Sequence, residues 1–135
     1  METTGLDPAT DEIVCAVTKK DKRVIRWAEA DRPAKCFTPE LTAKLAEYLT
    51  EEGNTVVTFN GLGFDLRFLS EKVADAALRK SLASTALYSH LDIFYCFFTE
   101  NGYRTSLTSL LSDSALEKTM TGEEASQRVS RGSRK

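Results

Sequence analysis

The chain has 135 residues, 41% of them hydrophobic and 28% charged, and a net charge of -2. That length and apolar content suit one domain with a single core, and the charge balance gives no global drive toward nucleic acid, so any such binding has to be local. No apolar run reaches the roughly 18 residues of a membrane span and the opening residues do not read as a signal peptide, so the expectation is a cytoplasmic protein with no membrane partner.

In chain order, Ile13, Val14, Ala16 and Val17 predict a strand. Lys19-Lys20-Asp21-Lys22 predicts a polar turn, and Val24, Ile25 and Trp27 a second strand, completing a hairpin. Cys15, Cys36 and Cys96 are scattered without CxxC spacing, which reads as reduced, mostly buried thiols rather than a metal or redox site. After a loop containing Pro33, Thr38 predicts an N-cap with Pro39 at the first helical position. Leu41, Leu45, Tyr48 and Leu49 follow at helical spacing, and Gly53-Asn54 closes that helix. "TVVTF" predicts a short, continuously apolar strand of the kind buried on both faces. A helix is expected from near Asp65, and a further helical stretch over "EKVADAALRKSLA". "LDIFYCFF" reads either as a strand or as the passage from a strand into a helix, and "SLTSLLSD" as a short helix. Its aromatics, Phe94, Tyr95, Phe97 and Phe98, are expected to pack in the core, with base stacking the alternative. The order hairpin, helix, strand, helix, strand, helix predicts an α/β fold with mixed strand directions. Residues 1–116 form the expected domain, and residues 117–135 a polar tail without apolar periodicity, flexible and carrying Lys118, Arg128, Arg131, Arg134 and Lys135.

"FNGLGFDLRFL", Phe59 to Leu69, places one carboxylate, Asp65, just past an apolar strand and after two glycines. Ligands collect at the carboxyl ends of strands in open α/β sheets, glycines let a backbone turn sharply, and a carboxylate there suits an oxygen-seeking cation such as Mg²⁺. The same Asp suits the role of cap for the following helix, and this stretch alone leaves both roles open. Gly61-x-Gly63 lacks the third glycine of a dinucleotide fingerprint.

Glu2-Thr3-Thr4-Gly5 ahead of the hairpin, together with Asn60, Phe64, Asp65, Phe68 and Leu69, resembles the first two motifs of the DEDD superfamily of 3'-5' exonucleases, which have the ribonuclease H-like fold. The resemblance spans about residues 1 to 125. "HLDIF" followed by "TSLTSLL" is most similar to the predicted exonuclease branch related to the YprB ribonuclease H-like domain. It implies a ribonuclease H-like mixed sheet flanked by helices and hydrolysis of DNA or RNA from a single-stranded 3' end. It also implies a two-metal Mg²⁺ or Mn²⁺ site in which one cation activates water and the other steadies the leaving oxygen. Glu2 and Asp65 would be metal-binding, catalytic carboxylates. Thr3 and Thr4 would line the terminal-nucleotide pocket, and Asn60 would orient the turn or touch the substrate backbone.

The resemblance also sets expectations of incompleteness. Its leading Asp would fall two residues before Glu2, ahead of Met1, on a central first strand. Met1 would then be an internal methionine of a longer reading frame. Its last motif, Tyr-x-x-x-Asp or His-x-x-x-x-Asp on a final helix, has no counterpart after Ser112. Tyr88-Ser-His-Leu-Asp92 is a literal match, but Asp92 opens a strand-like run, so a structural place in the fifth strand competes with a displaced catalytic role. His90, the only histidine, reads as structural or substrate-facing, with no nucleophile context for a triad. The expected function is a metal-dependent 3'-5' exonuclease domain, impaired in this chain; the alternative is a non-catalytic nucleic-acid- or protein-binding domain of the same fold.

Overall fold

The computed structural model describes residues 1–29 and 36–112. The loop around Pro33 and the polar tail from residue 117 lie outside the described residues, as does the proposed boundary at residue 116.

Five strands and five helices alternate along the chain. β1 (Glu2–Thr3) pairs antiparallel with β2 (Ile13–Lys20), with Glu2 opposite Cys15. β2 pairs antiparallel with β3 (Arg23–Trp27) through a turn at Asp21-Lys22. Asp21 takes φ 54°, a left-handed conformation that Asp tolerates better than most residues. Lys19 and Lys20, expected in the turn, are the last two residues of β2.

α1 (Pro39–Thr50) starts as the sequence predicts. Thr38 accepts the Leu41 amide at its side-chain oxygen, and Pro39 needs no partner for an amide it lacks. β4 (Val56–Thr58) follows, then α2 (Asp65–Lys72), α3 (Ala76–Tyr88), β5 (His90–Asp92), α4 (Ile93–Asn101) and α5 (Leu107–Leu111). The passage at residues 91–98 is therefore strand into helix. α4 ends at Gly102, whose φ of 74° is the usual helix stop.

The fold is mixed α/β, with antiparallel and parallel pairings, but its strands form two small sheets. One is ordered β1-β2-β3 and the other β4-β5, the second pair parallel. The expected placement of β4 in one sheet beside the hairpin is corrected here, because β1 is two residues long and covers β2 only at Ile13 and Cys15. β4 is not buried on both faces either: Val57 is 56% exposed, since one edge of β4 has no neighbouring strand among the described residues.

The core lies where β2 meets α1, α2 and α3. Ile13 and Ala16 pack with Phe37, Leu45, Ala46, Phe68, Leu69, Val73 and Leu82. α4 contributes no buried residue, so its aromatics do not form core as expected. They pack on one another and on neighbours: Phe94 lies 5.6 Å from Phe59 and 5.4 Å from Tyr95, and Phe97 lies 5.4 Å from Tyr103. The cysteines are free thiols, but Cys15 and Cys36 are only half-buried and Cys96 is exposed. Among the described residues, no helix is long and apolar enough to cross a membrane.

Candidate functional site

The loop between β4 and α2 is built by its two parallel strands. Thr58 at the end of β4 sits opposite Asp92 at the end of β5. The Asp92 carboxylate, 5% exposed, accepts the amides of Asn60 at 2.7 Å, Leu62 at 3.0 Å and Phe94 at 3.1 Å. One side chain thus closes the loop and caps α4. Beside it, the Thr58 hydroxyl oxygen accepts the Gly61 amide at 3.0 Å and lies 2.8 Å from His90 Nε2.

The glycines serve close approach rather than unusual backbone angles. Asn60 carries the left-handed conformation, φ 64°, whereas Gly61 and Gly63 do not. A Cβ at Gly61 would lie 2.2 Å from the Thr58 hydroxyl and 2.6 Å from its Cβ. At Gly63 it would lie 2.6 Å from Asn60 Oδ1, the far end of a side chain that can turn away. Gly61→Ala is therefore expected to cost about 2 kcal/mol through overpacking, and Gly63→Ala clearly less. Urea denaturation of both variants checks the ranking, and equal costs would contradict it.

This clamp delivers Asp65 to the first position of α2. The cap position belongs to Phe64, which makes no side-chain capping bond, so the capping alternative for Asp65 is overturned. Its negative charge still suits the positive end of the helix. The carboxylate is partly exposed, and its Oδ1 lies 3.0 Å from the Met1 amine. That contact brings the Glu2-Thr3-Thr4-Gly5 stretch against residue 65.

Within that stretch, Thr3 is buried and its hydroxyl donates to the Gly5 carbonyl. Thr4 Oγ1 accepts the Glu12 amide at 2.9 Å and donates to Asp11 at 3.3 Å. Gly5 has no room for a side chain, because a Cβ there would lie 2.4 Å from the Asp11 carboxylate. Both threonines therefore hold the turn into β2. Burial raises the pKa of the Cys15 thiol, and the Glu2 carboxylate beside it raises it further, so that thiol stays neutral.

Of the remaining sequence candidates, Tyr88 is 83% exposed at the end of α3. His90 is engaged with Thr58, and Asp92 is committed to three amides. The structure thus joins Asn60, His90 and Asp92 in one loop and places Glu2 and Asp65 on adjoining segments. Among the described residues, no group of three or more His, Cys, Asp or Glu side chains is arranged to hold a metal ion. The role of Thr58 escaped sequence reading; the signal was its small hydroxyl three residues before a glycine.

A family model described as the RNase H superfamily matches residues 1–130. No curated protein matches the chain, and no solved structure does.

Proposed function

The chain belongs to the RNase H superfamily, and from that premise we propose that it is an exonuclease-type domain that receives the 3' end of single-stranded nucleic acid where Glu2–Thr4 meet Asn60–Asp65. The superfamily's chemistry is nucleic-acid hydrolysis, generally with divalent metals. The finer reading, 3'-5' polarity and a metal-dependent exonuclease branch, is supported by one observation above the others. The Met1 amine lies 3.0 Å from Asp65, so two motif stretches more than sixty residues apart in sequence adjoin.

The donor set does not fit a two-metal centre. Mg²⁺ demands near-octahedral oxygen ligation, and two ions sharing a site need more carboxylates than Glu2 and Asp65 provide. Asp92, the other carboxylate of the loop, has its oxygens turned to backbone amides. No metal-assisted step follows from these residues, which favours binding without turnover as the activity of residues 1–135.

The test uses single-stranded DNA and RNA labelled at the 3' nucleotide, with Mg²⁺ or Mn²⁺, and compares the chain with Asp65→Asn. Both proteins are expected to release label at the same background rate. In anisotropy titrations, an oligonucleotide ending in a 3' hydroxyl is expected to bind several-fold more tightly than the same oligonucleotide ending in a 3' phosphate. Robust release abolished by Asp65→Asn would overturn the donor argument and promote Tyr88 and Asp92 to catalytic candidates. Equal binding of the two oligonucleotides would remove the 3'-end assignment.

A further inference from the structure

A cleft of about 630 Å³ separates the two sheets. Its walls are residues 16–20 of β2 and the strand from Val56 to Phe59, and neither β3 nor β5 takes part. The cleft therefore lies on the side of β2 away from β3 and the side of β4 away from β5. Those are the edges without a neighbouring strand among the described residues: β1 covers β2 only at Ile13 and Cys15, and β4 pairs only with β5. Two unpaired strand edges facing one cleft present amides and carbonyls that an extended chain can satisfy on both sides. The floor is apolar, with Leu45 of α1 and Leu69 of α2 among its residues.

We propose that this cleft binds an extended polypeptide strand, apolar toward Val17 and Val57 and acidic where it meets Lys19. Val17 is 60% and Val57 56% exposed, β-branched side chains on open edges that a strand would cover. Lys20 is occupied, bonding Asn54 at 2.7 Å and lying 3.8 Å from Glu51. Lys19, one residue earlier, has no partner among the described residues and lines the cleft. A single unpaired cation at one end asks for a carboxylate there. The pairing of β1 sets the direction, so the incoming strand runs antiparallel to β2. Nucleic acid suits the cleft less well, because backbone edges form its walls and Asp65 lies at its margin. The inference does not depend on the nuclease reading.

The probe is the capped pentapeptide Thr-Val-Asp-Thr-Val, whose last Val faces Val17 when its Asp faces Lys19. It is titrated into the full chain and followed by the amide shifts of Val17 and Val57. The fluorescence of Trp27 is a second readout, since its ring lies 5.4 Å from that of Tyr48 in the cleft wall. Saturable shifts at both edges are expected, with a melting temperature that rises with peptide concentration by mass action. N-methylation of the last Val should abolish binding, because a ladder needs the N–H. Replacing the peptide's Asp by Lys should weaken binding about threefold, and Lys19→Glu, at an exposed side chain, should restore it. Binding unaffected by N-methylation, or peptide displaced by an eight-nucleotide oligothymidylate, would overturn the proposal, as would a chain that responds to no peptide.

Discussion

Asp92→Ala is expected to destabilise the protein by about 3 kcal/mol, because it strands three amide donors at once. The amides of Asn60, Leu62 and Phe94 all point at this one carboxylate, and all three bonds are partly shielded from water. For a domain of this size the loss corresponds to roughly 12–24 °C in melting temperature. Asp92→Asn keeps one acceptor oxygen and turns an NH₂ toward a donor, so about half of the loss should remain. Thermal melts and urea titrations of the two variants measure this directly. A cost below about 1 kcal/mol for the alanine variant would mean that the loop holds without the clamp.

The comparison of the two variants also bears on function. Asp92 fixes the loop that carries Asp65, so its loss should scatter the amide resonances of residues 60–64 even below the melting temperature. A free metal-binding carboxylate at this position would instead leave those resonances in place.

Much of the fold was legible wherever the cause was local. The Thr38-Pro39 start of α1, the hairpin and the passage from β5 into α4 depend on neighbours in sequence, and those readings match the structure. Asp92 as a structural residue of the fifth strand was also within reach, since it opens an apolar run. What stayed out of reach depends on pairing across distance. The Asp92 clamp joins groups 30 and 32 residues apart. The split into two sheets depends on how far β1 extends, and that left the apolar residues of β4 exposed where continuous burial was expected. The aromatic run of α4 misled for a related reason: its composition resembles core, yet no helix or sheet covers its outer face among the described residues. The resemblance of Glu2-Thr3-Thr4-Gly5 and Asn60–Leu69 to exonuclease motifs pointed to the superfamily that the family model then matched, while the exonuclease branch itself stays within the proposal.

The largest single effect is expected from Phe68→Ala, and it separates the two jobs carried by one short stretch. Phe68 is 1% exposed, the largest of the fully buried side chains, with its ring 4.9 Å from that of Phe64. It packs in the core among residues from β2 and all three of the first helices. Truncating a buried phenylalanine costs about 3–5 kcal/mol in transfer energy and cavity. That is most of the stability of a small domain, whose whole margin is about 5–15 kcal/mol. Two unpaired strand edges leave this one little reserve. The variant should be largely unfolded at 37 °C, seen as lost amide dispersion and a non-cooperative urea transition. Asp65→Asn, three residues earlier at a partly exposed site, should cost less than about 1 kcal/mol and keep the native spectrum, because a screened ion pair is its main contact. If Phe68→Ala melts within about 5 °C of the unaltered chain, or Asp65→Asn unfolds it, the division fails. If both hold, Phe68 and Leu69 keep the scaffold while Asp65, three residues away, is free to vary with the chemistry.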